Sequence, residues 1–269
     1  MPRQGQPPII IGHRGHADSL ENTLISFRES IAQGAQMLEL DVRLSKDMVP
    51  MVCHDATVTR ISGKRGSIAD RTAKHLLNLD LGKGFRISTL EAALEELVPR
   101  VPINIELKFQ RPDYRPLVNA VCDVVEKLGA GPRILVSSFF HASLEVVKRR
   151  VPEMSIAPLF GSLTGLPHED DLEVVFGRPI RQHEAGIYPF HGRAAVVSWK
   201  MIDEALAQRF AEGNGTLLTY TVDDPAEMKR LIGLGIDGII TNRPAVAVKV
   251  LEELFPDGGG WSPASFALP

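Results

Sequence analysis

Short apolar runs alternate with helical patterns along most of the chain. Residues 9–12 are apolar up to a glycine, the pattern of a buried strand. Across 22–33, Leu24, Phe27 and Ile31 recur at helical spacing, with Asn22 or Thr23 placed to cap the start and Gly34 to stop the helix. Residues 37–42 and 49–53 read as strands with a turn at Lys46-Asp47 between them. That gap is too short for a crossover helix, so the pair predicts a hairpin. A glycine-containing loop with a short helix at 73–79 follows. Predicted helices at 89–97, 117–128, 142–150, 169–176, 202–212, 225–234 and 244–254 then alternate with predicted strands at 103–107, 134–138, 156–160, 195–199, 217–222 and 238–241. Pro225 and Pro244 suit the first turn of a helix. With 49–53 assigned to the hairpin, eight β/α units remain, the number expected of a TIM (β/α)8 barrel. A doubly wound sheet is the alternative. No shift in composition divides the chain, so residues 1–256 are expected to form one domain. Residues 257–269, with three consecutive glycines and two prolines, are expected to be a loosely held tail.

A barrel carries its chemistry at the C-terminal ends of its strands. The first strand ends in His13-Arg14, and the second contains Glu39 and Asp41. A spacing of two puts both carboxylates on one face, because strand side chains alternate. The hairpin's return strand ends in His54-Asp55, and the next barrel strand carries Glu106 and Lys108, again two apart. A Glu-x-Asp pair alone reads as a solvated face, a strand-end histidine as a hydrogen-bonded loop residue, and Lys108 as a plain ion-pair partner of Glu106. Leu38, Leu40 and Val42 fill the alternate positions, however, so the carboxylates require a polar mouth or charged partners.

Composition narrows what this rim does. The 269 residues carry 30 Lys+Arg against 33 Asp+Glu, a net charge of −3, which argues against a nucleic-acid partner. At 44% hydrophobic and 23% charged, the balance is that of an ordinary globular chain. No apolar run approaches the roughly 20 residues of a membrane span, so no stable membrane anchor is expected. The first residues lack a signal-peptide core, and Cys53 and Cys122 read as free thiols. A cytoplasmic location is expected on both grounds. Three carboxylates without cysteine suit a hard divalent cation, Mg²⁺, Ca²⁺ or Mn²⁺, better than zinc. A cation with Arg14 and Lys108 forms a clamp for an anion such as phosphate. Two histidines then supply an acid and a base, and the combination suits cleavage of a phosphodiester.

Other signals read as structural. Gly233-x-Gly235-x-x-Gly238 matches a dinucleotide fingerprint as a string, but it leaves a helix and enters a strand, the reverse of the required context. Gly235 reads as a helix C-cap. His168-Glu169-Asp170-Asp171 reads as an acidic helix start rather than a cation site. His75, His141, His183 and His191 read as surface or loop residues, and His16 as a neighbour of the site at most. Ser137 and Ser138 lack the context of a nucleophile, and Cys53 and Cys122 read as small buried hydrophobes. Trp199 is either core or a wall for the alcohol group.

His13-Arg14-Gly15, Glu21-Asn22-Thr23, Glu39-Leu40-Asp41-Val42, His54-Asp55 and Glu106-Leu107-Lys108 together resemble the glycerophosphodiester phosphodiesterases. The likeness continues in Ser137-Ser138-Phe139, Thr221-Val222 and Gly238 to Pro244, in the same order. It implies a TIM barrel that hydrolyses a small-molecule glycerophosphodiester to an alcohol and glycerol phosphate. By residue, it implies a metal on Glu39, Asp41 and Glu106, His13 and His54 as the acid–base pair, and Arg14 and Lys108 on the phosphate. It also allows the glycerol 2-hydroxyl to act as an internal nucleophile. Which histidine is acid and which base is left open. The chain departs from the family pattern at Leu20 for a proline, Met48 for a glycine, Tyr220 for a tryptophan, Asp223 for an asparagine and Asn242 for an aspartate. None of these is expected to touch the metal–histidine set. The polar loop at 60–72 favours a soluble diester over the alternatives, a lysophospholipase D on the same barrel or an inactive binding barrel. A homodimer is compatible with a barrel, but no sequence feature decides it.

Overall fold

In a computed structural model, residues 7–109, 113–161 and 194–256 are described. The predicted helix at 169–176, the acidic run at 168–171, His183, His191 and the tail at 257–269 lie outside them. The chain opens with β1 (Ile9–His13), α1 (Leu24–Ala32), β2 (Met37–Leu44) and β3 (Pro50–Val52). A segment carrying α2 (Thr59–Ser62) and α3 (Ala73–Leu77) follows. Then come α4 (Leu90–Leu97), β4 (Ile103–Leu107), α5 (Arg115–Leu128), β5 (Ile134–Ser138), α6 (His141–Arg150), β6 (Ser155–Phe160) and β7 (Ala194–Ser198). The last elements are α7 (Glu204–Glu212), β8 (Thr216–Tyr220), α8 (Pro225–Gly233), β9 (Gly238–Thr241) and α9 (Pro244–Leu254).

The strands order as β1-β9-β8-β7-β6-β5-β4-β2-β3, and β1 also pairs with β2. Eight parallel strands thus close on themselves, with β1 bonded to β9 through Ile9↔Gly238 and to β2 through His13↔Glu39. The exception is β3, which runs antiparallel to the end of β2, Val42 facing Val52. The doubly wound alternative is therefore excluded: closure removes both sheet edges. The hairpin reading of 49–53 holds, and the turn has a cost. Met48, where the resemblance leads one to expect glycine, sits at φ +64°, a left-handed conformation in which a Cβ is crowded.

Local chemistry accounts for the element starts. Thr23, not Asn22, caps α1 by accepting from Ser26 N; Thr89 caps α4, Asp203 caps α7 and Asp224 caps α8 in the same way. Pro225 and Pro244 occupy first turns, as expected. Gly235, at φ +81° just past α8, ends that helix as the sequence suggested.

Apolar side chains fill the barrel in alternate positions: Ile9, Ile11, Met37, Leu135, Ala157, Val196, Leu218 and Ile240 pack together inside. The intervening residues, such as Ile10, Leu38, Leu40, Val42, Ile105 and Val136, pack outward against the helices. A separate apolar cluster of Met51, Cys53, Val58, Ile68, Leu76 and Leu79 supports the segment after β3. Trp199 is partly buried and packs against the outer cluster around Ile202 and Leu206.

Candidate active site

The inward positions that are apolar at the base of the barrel turn polar at its C-terminal rim. On β1 the series Ile9, Ile11 ends in His13; on β2 Met37 leads to Glu39 and Asp41; on β4 Asn104 leads to Glu106. The result is a cluster in which one carboxylate oxygen from each of Glu39, Asp41 and Glu106 lies within 4.8 Å of the others. All three residues are buried, Asp41 completely. Buried charge requires countercharge or strong donors. Arg14 Nε lies 3.0 Å from Asp41 Oδ2, and Lys108 Nζ lies 3.3 Å from Asp41 Oδ1 and ion-pairs with Glu106. The Asn22 amide clasps Asp41 from both sides, Nδ2 donating to Oδ2 at 2.9 Å while Oδ1 accepts from the Asp41 backbone N–H at 3.1 Å. Glu39 Oε2 accepts from the Arg14 backbone N–H, but Glu39 Oε1 is buried and accepts no hydrogen bond.

Arg14 reaches this position because the chain reverses sharply after β1. Arg14 and Gly15 both take positive φ, at +54° and +105°. A Cβ on residue 15 would lie 2.1 Å from Ser26 Oγ and 2.8 Å from the Ser26 backbone carbon, so only glycine fits.

The electrostatics follow from three carboxyls facing two cations. Burial, with Asp41 and Glu106 alongside, pushes Glu39 well above the usual carboxylate range. Burial also raises Glu106, against the pull of Lys108. For Asp41 burial again opposes ionisation, but Lys108, Arg14 and the Asn22 bond outweigh it and hold the group low. An all-oxygen donor set with an orphaned buried oxygen on Glu39 fits a hard divalent cation, and with no cysteine or histidine among the three it fits zinc poorly.

The two histidines flank the cluster. His13 Nε2 lies 4.0 Å from Glu39 Oε2, and its Nδ1 lies 2.7 Å from Asn242 Oδ1. His54 Nδ1 is 2.8 Å from Asp55 Oδ1. A carboxylate only accepts, so Nδ1 is the donor. Asp55 is held in turn by Arg60 Nε at 2.7 Å, and Arg60 also grips Glu21, whose Oε1 contacts Arg14. Arg43, inward on β2, donates to the His54 carbonyl oxygen at 2.5 Å and fixes the end of the hairpin. Burial, reinforced by Arg14, lowers His13 to about 4, and burial also lowers His54. His13 is therefore neutral near pH 7 and able to accept a proton, whereas Asp41 and the Asp55 hydrogen bond pull His54 back toward its protonated form.

All seven residues singled out from the sequence, His13, Arg14, Glu39, Asp41, His54, Glu106 and Lys108, meet at this rim. One expectation fails. Asn242 does touch the metal–histidine set, through His13, because β9 closes the barrel against β1 and brings together residues 229 apart in sequence. Its partner there is Asp223, another of the departures. Sequence reasoning also missed Arg43 and Arg60; the inward parity of Arg43 was a usable signal, whereas Arg60 lies in a loop-rich segment with none. His16 bonds locally to the Asp18 N–H, and His141 Nε2 lies 3.0 Å from the Leu159 carbonyl oxygen. Ser138 accepts from Phe140 N in the turn after β5. Burial pushes the Cys53 thiol up to about 12 and Cys122 to about 11, as inert packing residues require.

Fold and rim together define an enzyme of the (β/α)8-barrel class, its charged groups gathered at the strand C-termini. Residues 13–246 match the glycerophosphoryl diester phosphodiesterase family, and the chain belongs to it. A glycerophosphodiester phosphodiesterase of Bacillus altitudinis is 31% identical over 255 residues, covering 91% of this chain and 98% of that one. A lysophospholipase D of Mus musculus is also 31% identical, over 87% of this chain and 83% of its own length. Among solved structures, an Oleispira antarctica phosphodiesterase in complex with the product sn-glycerol-3-phosphate superposes with a TM-score of 0.76 at 22% identity. That match covers 91% of this chain and 97% of the other. No helix among the described residues is long and apolar enough to cross a membrane.

Proposed function

We propose that the chain hydrolyses glycerophosphodiesters to an alcohol and glycerol phosphate. In this reading Glu39, Asp41 and Glu106 hold a divalent cation, Mg²⁺, Ca²⁺ or Mn²⁺. The observation that carries it is the convergence of these carboxylates, Arg14, Lys108 and two histidines on one rim. A bound dication supplies Lewis-acid stabilisation of phosphate charge. With all three carboxylates ionised, they, Arg14 and Lys108 sum to minus one, and a dication would bring the cluster to plus one, matched to a phosphodiester anion. Arg14 and Lys108, held by Asp41 and Glu106 within the cluster, then face the phosphate oxygens.

The glycerol 2-hydroxyl is a well-placed nucleophile, because attack within one molecule avoids the entropy of bringing in water. Its oxygen bonds to phosphorus as the bond to the leaving alcohol breaks. One histidine takes the hydroxyl proton, and the other, which enters the step protonated, gives its proton to the leaving oxygen and becomes neutral. Water then opens the cyclic phosphate with the roles reversed. Asp55 favours the protonated form of His54, whereas His13 has a neutral amide at the same position.

The test is release of glycerol phosphate from glycerophosphocholine and glycerophosphoethanolamine, first with chelator and then with each cation. Cation-dependent release is expected. His13→Ala and His54→Ala should each keep the fold and lose about 10²–10⁴-fold in turnover, the usual contribution of an acid–base group. Release only from lysophosphatidylcholine would favour the lysophospholipase D reading, and wild-type rates in both variants would remove the histidine roles.

A further inference from the structure

On the side of His13 away from the carboxylates lies a chain of side chains that the proposed reaction does not use. Asp223, just past β8, accepts three hydrogen bonds. Its Oδ1 takes Thr241 Oγ1–H and the Asn242 backbone N–H, both at 2.8 Å, and its Oδ2 takes Asn242 Nδ2–H at 2.7 Å. A carboxylate oxygen can only accept, so the Asn242 amide must turn its nitrogen to Asp223 and its oxygen to His13. That oxygen also can only accept. His13 Nδ1, 2.7 Å away, must therefore be the protonated nitrogen, and Nε2 carries the lone pair on the Glu39 side.

We propose that Asp223 and Asn242 are positioning residues that lock His13 in its Nδ1–H tautomer and aim Nε2 into the site. The proposal rests on the reading of His13 as an acid–base group, since it assigns the work of a pair that touches no substrate. Without the pair, the neutral ring is free to place its proton on either nitrogen, and the Nε2–H form cannot accept a proton where one is needed. Asp223 is the fixed point, because its other oxygen is anchored to the backbone and hydroxyl at the end of β9.

The geometry makes an isosteric exchange decisive. In Asp223→Asn the new amide keeps its oxygen toward Thr241 and the Asn242 N–H and presents a nitrogen to Asn242. Asn242 then flips, offers its own nitrogen to His13, and drives the ring to the Nε2–H tautomer. Adding Asn242→Asp pairs the amide donor at position 223 with a carboxylate at position 242 that can only accept, and so returns His13 to Nδ1–H.

The experiment is two-bond ¹H–¹⁵N correlation NMR of the chelator-treated full chain, labelled with ¹⁵N-histidine, near pH 7.5, together with steady-state kinetics of the cation-loaded enzyme. Wild type should show Nδ1–H. D223N should show Nε2–H with kcat lower by about 10- to 100-fold, as for other groups that orient an active-site ligand, and KM little changed. D223N/N242D should regain both the tautomer and most of the kcat. If D223N does not fold, Asn242→Ala removes the acceptor and should give mixed tautomers with reduced kcat. Nε2–H in the wild type overturns the proposal. So does a variant that lowers Tm and kcat without moving the His13 signals, or a double variant no better than D223N. Full activity in His13→Ala would instead defeat the acid–base reading while leaving the tautomer as measured.

Discussion

Glu39 is the residue at which the cost of assembling this site is concentrated. It is buried beside two other carboxyls, one of its oxygens accepts no hydrogen bond, and its affinity for a proton is raised accordingly. In the proposed holoenzyme a dication takes that place, so loading should expel the proton. A carboxyl raised in the metal-free fold binds its proton more tightly than usual, so cation affinity should fall as pH drops through that raised value and recover above it. Calorimetry in buffers of different ionisation enthalpy, run over a series of pH values, should register the released proton as a buffer-dependent heat that fades as pH rises above that raised value. Glu39→Gln, which has no proton to release at that position and one ligand charge fewer, should raise the cation Kd about tenfold or more and reduce the buffer dependence, Glu106 supplying what remains. Equal affinity in wild type and variant would remove Glu39 from the ligand set.

Among the elements, β1 and α1 set the site most directly, because His13 and Arg14 end the strand and Asn22 precedes the helix. Their contact is close. A Cβ on Gly12 would lie 2.0 Å from Ser30 Oγ and 3.1 Å from Leu38 Cδ2. Gly12→Ala should therefore destabilise by about 1–3 kcal/mol, the usual range for overpacking. Adding Ser30→Ala removes the nearer atom and should return part of that loss, a coupling expected only of residues in contact. Urea unfolding of the two single variants and the double variant measures it; strictly additive effects would mean that the two elements adjust independently.

The whole molecule separates stability from chemistry. Apolar layers fill the barrel beneath the rim and the shell between strands and helices, and neither includes the three carboxylates. Chelation should thus abolish turnover yet leave one cooperative thermal transition. Saturating cation should raise Tm by mass action, about 2.7 kcal/mol of stabilisation at a hundredfold excess over Kd. Loss of cooperative unfolding on chelation would show that the metal is structural. Barrel closure also unites distant sequence. The hairpin brings His54 back to the rim, and β9 brings Asn242 to His13.

What the sequence determined by itself is whatever is periodic or local. Alternation by two sends Ile9, Ile11 and His13 to one side, and likewise Met37, Glu39 and Asp41, so a filled interior and its polar rim were legible once eight units were counted. Caps, prolines and glycines placed the element ends within a few residues. Only the tertiary structure decided which nitrogen of His13 is held, that Asn22 clasps Asp41, and that Arg60 links Asp55 to Glu21. Those contacts join residues from about 5 to 229 positions apart through closure and loop geometry, and no period along a strand or helix records them. Asn242 and Asp223 show the difference most sharply. In the sequence they are two unrelated departures, and in the barrel they are one hydrogen-bonded unit behind a histidine, because the parallel pairing of β8 with β9 sets their two strand ends side by side and closure against β1 brings His13 to them.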